Sequence, residues 1–312
     1  MTNNAQPLVT VAIPTYNRAD SYLKQTIESV LDQTYKNIEV IIADNCSSDQ
    51  TDALVESLGA QNIRYFKHQT NIGPNNNFNF CLKQANGDYF LLLQDDDLID
   101  PDMVEVCIKA AENSFDVGII RTGTRVINAT GRVLRDRPNR ACGLPLDAFF
   151  VAWFKSKTAL YLCSTLFHTE RLKAIGGFKS KHNLFQDVMA EVKLAAEFGR
   201  IDVCNVKASF RKHDAELTFK ARVSDWCEDS FLLLDLMCQL VPEKSALIRN
   251  RGLKFFAKLN YRRARDVKSP SKRFLAYIKV FRKFNYRYLP PYVYNTLSDI
   301  PLYRFVLGKR KR

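Results

Sequence analysis

The sequence predicts an α/β fold with a mostly parallel central sheet flanked by helices, followed by a basic α-helical C-terminal extension. Two observations carry the α/β prediction. Short apolar, β-branched runs alternate with segments of helical spacing, and the 312-residue chain is 46% hydrophobic, which is enough to bury a large core. The extension is predicted because Lys and Arg are concentrated after residue 243.

Four strands are predicted in the first part of the chain, because short apolar runs bounded by turn residues are typical of buried strands. The first run stops at Pro14 and the second ends at Asp44. The four predicted strands lie at 8–13, 38–43, 63–66 and 88–93.

Helices are predicted between these strands, because apolar residues such as Leu23, Ile27 and Leu31 recur three to four positions apart. Pro101 suits the first turn of the last helix. The helices are expected at 21–33, 49–58, 75–86 and 102–113. Right-handed crossovers then bring the strand carboxyl ends to one edge, where open sheets bind ligands.

The remainder of the chain is less regular up to about residue 175. Strands are predicted at 117–121 and 124–127, a helix at 184–198, a strand at 203–210, and helices from about 224. We therefore divide the chain into a catalytic domain at 1–215 and a helical basic region at 216–312.

Charge and cysteine content narrow the class of protein. Residues 244–312 hold 20 Lys and Arg residues and two Asp residues, a formal charge of +18, so the rest of the chain carries −5. The eight cysteines include no Cys-x-x-Cys pair, which favours reduced, mostly buried thiols over a zinc site. No transmembrane helix or secretory signal is predicted. A cytoplasmic protein is expected.

The strongest chemical signal is the cluster Asp95-Asp96-Asp97, directly after an apolar strand. Adjacent carboxylates repel one another unless a cation or solvent compensates. Mg²⁺ and Mn²⁺ prefer oxygen ligands together with substrate phosphates. On the cluster alone, two interpretations stand about equal: a metal site that bridges to a diphosphate, or a solvated acidic turn at the start of a helix.

Other polar residues follow strand ends or begin helices. Asp44 either accepts a hydrogen bond from a base or ribose, or forms an ordinary turn. Asp187 suits a general base if its helix end faces the cleft, with Glu191 one turn on as the alternative. His213 is a candidate metal or diphosphate contact, although a lone His is more often a surface or packing residue.

Several nucleotide-binding motifs are absent. No Gly-x-Gly-x-x-Gly follows the first strand, and neither a P-loop nor a Gly-x-Ser-x-Gly elbow occurs. Dinucleotide binding of the Rossmann type is disfavoured and a P-loop NTPase is excluded. A sugar nucleotidyltransferase is also disfavoured, because it needs a Gly-rich loop near the N-terminus.

In order along the chain, the motifs resemble those of the family 2 glycosyltransferases, inverting enzymes of the GT-A fold. The similarity covers roughly residues 8–215 and does not reach the tail. The matching blocks are Val11–Asn17, Glu28–Tyr35, Glu39–Asn45, Asn71–Pro74, Asn86–Tyr89, the aspartate cluster and Pro101.

The resemblance implies roles for these residues. Asp44 corresponds to a nucleobase contact, the aspartates to the Asp-x-Asp (DXD) metal motif, and Asp187 to the base, with Gln186 where the family has Glu. The expected ligands of Mn²⁺ or Mg²⁺ are Asp96, Asp97 and His213. The expected nucleotide-sugar contacts are Pro14, Thr15, Tyr16, Asn17, Asp44, Asn71, Asn77 and Asp95.

The expected reaction moves a sugar from a nucleoside-diphosphate donor, most commonly UDP-linked, to a hydroxyl of a glycan or lipid-linked acceptor in bacterial surface polysaccharide synthesis. The alternative is a non-catalytic protein that binds nucleotides or polyanions on a GT-A scaffold. Nucleic acid is not an expected partner, because no RNA- or DNA-binding motif occurs.

The basic tail has two interpretations of comparable weight. A basic amphipathic helix is typical of binding to an anionic membrane surface, which would place residues 244–312 at the inner face of the membrane. Alternatively, the apolar residues pack within the protein and leave a basic solvated face. The apolar residues at helical spacing are Phe255, Phe256, Leu259, Phe274, Tyr277, Ile278 and Phe281.

Overall fold

A computed structural model describes residues 6–59, 62–112, 116–213 and 221–290. The described residues fall into two compact units, within Met1–Glu216 and Leu217–Arg312. The first unit holds the sheet and the second is helical.

Four parallel strands form the first half of the sheet, as the alternating sequence pattern predicts. Their spatial order is β3-β2-β1-β4, and every neighbouring pair is parallel. They are β1 (Val9–Thr15), β2 (Ile38–Asp44), β3 (Ile63–Lys67) and β4 (Tyr89–Leu92). The parallel arrangement brings the ends of β1 and β2 to one edge, with Thr15 opposite Asp44.

The second half of the sheet is mixed, and it continues from β4 in the order β8-β6-β9-β5, with β7 paired to β6. β8 runs antiparallel to β4 and to β6, while β6 and β9 are parallel. The strands are β5 (Leu98–Ile99), β6 (Ile119–Asn128), β7 (Val133–Arg137), β8 (Thr165–His168) and β9 (Arg200–Lys212). The α/β class with a mostly parallel sheet flanked by helices is confirmed.

Helices flank this sheet and bury apolar faces on it. One cluster of buried side chains from α1, β1, β2, β4, α4 and β6 forms a large part of the core. The helices of the first unit are α1 (Leu23–Leu31), α2 (Thr51–Ser57), α3 (Pro74–Gln84), α4 (Met103–Ala111), α5 (Leu146–Phe154), α6 (Thr169–Ala174) and α7 (Gln186–Phe198).

Three details differ from the sequence prediction. β1 continues through Pro14 to Thr15 because β4 pairs with β1 only over residues 9–12, so Pro14 removes no ladder hydrogen bond on that side. β6 is one strand and not two. The structure also contains β5, β7, α5, β8 and α6, none of which the sequence pattern predicts.

Over residues 221–290, the second unit contains the helices α8 (Val223–Leu240), α9 (Ser245–Arg265) and α10 (Pro270–Lys283). Asn260 on α9 donates to Ser230 Oγ on α8 at 3.0 Å, and both side chains are fully buried. Across the described parts of both units, no helix is long and apolar enough to cross a membrane.

Candidate active site at the carboxyl edge of the parallel strands

Asp44 lies at the end of β2, and its carboxylate is completely buried. Its Oδ1 accepts a hydrogen bond from the Ser47 backbone N–H at 2.8 Å, and its Oδ2 accepts one from the Tyr65 hydroxyl at 2.7 Å. The adjacent Asn45 N–H donates to the Thr15 carbonyl at 2.9 Å. The ends of β1 and β2 are therefore tied into one rigid wall.

Tyr65 also belongs to this wall, although the sequence pattern does not predict it. Its hydroxyl also lies 2.5 Å from Asp52 Oδ1, so one phenol faces two carboxylates. Burial and these two hydrogen bonds raise the pKa of Tyr65 well above its usual range. Its position depends on the parallel register of β2 and β3, which pairs Ile42 with Tyr65 and which no local sequence pattern encodes.

The loop after β1 is joined to the loop after β2. Asn17 has a positive φ of 53°, its N–H donates to Ser47 Oγ, and its Oδ1 accepts from the Ser48 N–H, both at 2.8 Å. The side chain of Tyr16 next to it is 46% exposed. An aromatic ring held at this edge by a fixed backbone presents a face on which a planar base can stack.

Asp95 joins the aspartate cluster to the same loop. Its Oδ2 accepts from the Tyr16 N–H at 3.4 Å, and its Oδ1 lies 3.8 Å from Arg18 Nε. Burial, and next the charge of Asp96, raise the pKa of Asp95 to about 7. Thr15 and Tyr16 therefore bring Asp44 and Asp95 to one edge, although the two carboxylates come from different strands.

Asp96 faces His213, which follows β9. Asp96 Oδ2 lies 2.7 Å from His213 Nε2, and the Asp96 carbonyl accepts from Arg211 Nε at 2.7 Å. The guanidinium of Arg211 also lies over the Tyr22 ring, 4.4 Å from its centroid. The end of β9 thus fixes both the side chain and the backbone of Asp96.

Asp97 points into the protein. It is 1% exposed, and its Oδ1 accepts from the Arg211 N–H at 2.8 Å. Burial, and next the charge of Asp96, raise the pKa of Asp97 well above its usual range. Thr26 Oγ1 donates to the Asp97 carbonyl at 2.9 Å, so this residue also anchors α1.

The two asparagines of the predicted nucleotide-sugar site hold loops in place. Asn71 Oδ1 accepts from Asn45 Nδ2 at 3.0 Å and from the Gly73 N–H at 2.9 Å. Asn77 is 2% exposed and donates to the Ala43 carbonyl at 2.7 Å. Both residues support the β2 end, next to Asp44.

Asp187 is placed by the first turn of α7, a helix that packs against β6 and α6. Glu191, the alternative base, is one turn further on and completely buried, 3.2 Å from Arg121 Nε. The Gly176-Gly177-Phe178 segment before α7 is held by Asn79 Oδ1, which accepts from the Phe178 N–H at 2.9 Å. Glu191 is fully buried, whereas Asp187 at the start of the helix is partly exposed.

The fit of a divalent cation differs within the aspartate cluster. Asp95 and Asp96 keep 15% and 14% of their side chains exposed, and their mutual repulsion is the kind that a cation relieves. The Asp97 carboxylate is instead engaged by the Arg211 backbone. Within the described ranges, no three His, Cys, Asp or Glu side chains form a metal-binding group.

Comparisons with known proteins match the first unit. A family described as "Glycosyl transferase family 2" matches residues 10–169, just over half of the chain. An uncharacterized glycosyltransferase of Rickettsia bellii is 40% identical over 131 residues, 41% of this chain and 19% of that protein. Chondroitin synthase of Escherichia coli is 31% identical over 134 residues, 43% of this chain and 19% of that protein. The chain matches less than half of the length of these relatives.

Solved structures show the same fold at low identity. S. aureus TarS 1-349 superposes with a TM-score of 0.68 and 19% identity, covering 89% of this chain and 80% of that one. The mannosyltransferase PcManGT from Pyrobaculum calidifontis, solved with GDP-Man and Mn²⁺, has a TM-score of 0.56 and 16% identity, with coverage of 97% and 83%. Because the family match covers just over half of its length, the chain belongs to glycosyl transferase family 2.

Proposed function

We propose that this protein transfers a sugar, with inversion, from a nucleoside-diphosphate donor to a hydroxyl of a glycan or lipid-linked acceptor. One observation carries the proposal: Asp44, Tyr16, Asp95 and the Asp96–His213 pair converge at the carboxyl edge of β2, β1 and β4. A UDP-sugar is the donor we favour, supported by the structural neighbour TarS 1-349, which has been solved in complex with UDP-GlcNAc.

The donor's base and ribose are assigned to the β1–β2 edge. Tyr16 supplies an exposed ring for stacking. The Asp44 carboxylate accepts hydrogen bonds from Ser47 and Tyr65 and places a negative charge in the wall beneath the base. Asp95 is next to Tyr16 and faces the ribose side of the cleft. Pro14, Thr15, Asn17, Asn71 and Asn77 hold these loops in their positions.

A divalent cation, Mn²⁺ or Mg²⁺, is proposed at Asp96 and His213, and when bound it would stabilise negative charge on the departing diphosphate. The complex of PcManGT with Mn²⁺ supports this choice of ion. Of the three predicted ligands, Asp97 is the weakest, because its carboxylate accepts a hydrogen bond inside the protein.

Asp187 is the proposed general base. Its carboxylate would take the proton from the acceptor hydroxyl as the oxygen attacks the anomeric carbon, which accounts for inversion. The first turn of α7 places this carboxylate at the positive end of a helix dipole.

The acceptor is proposed to be a component of a bacterial surface polysaccharide, with the protein acting at the cytoplasmic face of the membrane. Chondroitin synthase among the relatives supports a polysaccharide acceptor. The second unit supports a membrane location: one exposed face of α9 carries Arg251, Lys254, Lys258, Arg262 and Arg265. The remaining tail residues of this proposal, 291–312, lie outside the described ranges.

Donor turnover with Mn²⁺ and a panel of nucleotide sugars tests the proposal. Asp96→Asn should largely abolish turnover, whereas the matched control Asp32→Asn, at an exposed position after α1, should leave it unchanged. Nucleotide binding without turnover by the unmodified protein would refute transfer and favour the non-catalytic nucleotide- or polyanion-binding alternative.

A further inference from the structure

A basic cleft lies on the first unit, away from the aspartate cluster. It has a volume of about 280 Å³ and lies between the end of β7 and the residues that follow α5. One acidic residue, Asp136, contributes to its lining. The basic residues that line the cleft are Arg135, Arg137, Arg140, Lys155 and Lys157.

Within the described ranges, no acidic side chain pairs with these five cations. Asp136 instead lies 3.9 Å from Arg125 Nε, outside the set. Arg137 Nε is shielded from solvent and has no hydrogen-bond acceptor among the described residues. Cations gathered at one cleft repel one another, so the arrangement favours an anionic ligand.

The end of α5 explains only part of the cluster. Lys155 and Lys157 follow the helix, where the partial negative charge of its carbonyls favours cations. Arg135, Arg137 and Arg140 belong to β7 and the segment after it, and no helix end accounts for them. Their guanidinium groups present the forked donors that match phosphate oxygens.

The cleft is connected to the proposed active site through the β6–β7 hairpin. At one end of the hairpin, Arg211 Nη1 lies 3.4 Å from the Ala129 carbonyl, and the same guanidinium donates to the Asp96 carbonyl. At the other end, Arg137 pairs with Thr124 of β6. The four steps from Val133 to Arg137 span roughly 13 Å of strand.

We propose that this cleft, at the end of β7 away from the hairpin turn that contacts Arg211, binds a phosphate group of the acceptor. The role as acceptor site rests on the proposed transfer reaction, whereas phosphate binding does not. Two sources share this chemistry: the diphosphate of a lipid-linked acceptor and the phosphodiester of a phosphate-containing polymer. The volume suits such a group and is small for a complete nucleotide sugar.

Titration of the full-length protein with inorganic phosphate and inorganic diphosphate, in EDTA to silence the metal-dependent site, tests the proposal. Arg135→Gln/Arg140→Gln removes two exposed cations of the cleft and should weaken binding by about tenfold or more. The control Lys83→Gln/Lys109→Gln removes two exposed cations elsewhere on the same unit and should bind like the unmodified protein. Preference for diphosphate would indicate the lipid-linked source, and preference for phosphate the polymer.

Equal phosphate affinity in the cleft variant and the unmodified protein would overturn the proposal, as would acetate binding as tightly as phosphate. Lys155→Gln/Lys157→Gln provides a second variant, on the other wall, if the first folds poorly. Donor turnover in the same preparations separates the two proposals. Absence of donor turnover in the unmodified protein contradicts the proposed transfer. Donor turnover in the unmodified protein, together with unchanged phosphate affinity in the cleft variant, contradicts phosphate binding in the cleft.

Discussion

Arg121 and Glu191 face each other completely removed from solvent: Arg121 Nε lies 3.2 Å from Glu191 Oε2, and neither side chain has exposed surface. The same guanidinium lies 2.9 Å from Asp202 Oδ1 on β9 and donates to Thr158 Oγ1 at 2.9 Å. One cation of β6 therefore fixes α7, the helix that carries Asp187, to the sheet.

Arg121→Met should lower the free energy of unfolding by about 3–5 kcal/mol, because it leaves the buried Asp202 carboxylate without this cation. Denaturant unfolding measures the change. Lys67→Met, which breaks a pair that is 36% and 54% exposed, should cost no more than about 1 kcal/mol. Similar losses for the two variants would show that burial of the Arg121 pair has no energetic consequence.

Glu191 should make stability depend on pH. Burial raises its pKa from 4.5 to about 8 in the folded protein, with Arg121 opposing the shift. The folded state therefore holds a proton that the unfolded state releases, and this stability, full below about pH 4.5, is lost as the pH rises towards 8. Glu191→Gln should flatten the decline in unfolding free energy between pH 5 and 8, by up to about 1.4 kcal/mol per pH unit.

The control for this pH dependence is Glu197→Gln, at an exposed position on the same helix. It should leave the slope of unfolding free energy against pH as it is in the unmodified protein. An unchanged slope in Glu191→Gln would mean that Glu191 is already ionised in the folded state across this range.

Asp187→Asn should abolish sugar transfer while leaving donor binding intact, since the amide cannot accept the acceptor's proton. Loss of general-base catalysis alone corresponds to about 100- to 10,000-fold in rate. Transfer assays and donor titration measure the two effects separately. Glu191→Gln should keep most of the activity, because its carboxylate is buried against Arg121; an active Asp187→Asn with an inactive Glu191→Gln would reverse the assignment.

The exposed face of α10 should bind anionic membranes. Phe274, Leu275 and Ile278 are 65%, 56% and 37% exposed, and Lys272, Lys279 and Arg282 are exposed on the same helix. Phe274→Gln/Ile278→Gln should reduce co-sedimentation with vesicles rich in anionic lipid by about tenfold or more, since each apolar side chain contributes about 1.5–3 kcal/mol when buried.

The matched control for the membrane experiment is Leu232→Gln/Leu247→Gln, which changes two apolar residues on α8 and α9 that are each 42% exposed. This variant should sediment with vesicles like the unmodified protein. No vesicle binding by the unmodified protein, or equal loss in both variants, would contradict docking through α10 and leave packing within the chain as the role of these residues.

The sequence predicts the first half of the sheet well, because its strands and helices have distinct periods and clear boundaries. It predicts the segment around residues 120–170 poorly for identifiable reasons. α5 is apolar on nearly all sides and shows no helical period, and β8 has only four residues. The strands predicted at 117–121 and 124–127 are one strand, and glycine is needed at 123 because a Cβ there would lie 2.8 Å from the Arg137 carbonyl.

The residues of the candidate site also divide into those that sequence patterns predict and those that they do not. Asp44 and the aspartate cluster follow strand ends, so topology alone predicts that they share an edge. The partners Tyr65 and Arg211 depend on strand register and on a strand more than a hundred residues later, which local patterns do not encode. The tail's apolar residues also divide: Phe256 is 1% exposed, whereas Phe274 is 65% exposed.

The contacts of Asp96 and Asp97 with residues at the end of β9 have a consequence for synthesis of the protein. Asp96 and His213 are 117 residues apart, Asp97 and Arg211 are 114 apart, and β5 has β9 as its partner strand. Pairing across such separations is slow, because the entropic cost of closing a long loop comes before the contacts that stabilise it. On the ribosome, β1 to β4 can assemble early, but Asp97 cannot accept its hydrogen bond from Arg211 until residue 211 has emerged. A nascent chain is therefore unable to complete its aspartate centre before almost the whole first unit has been made.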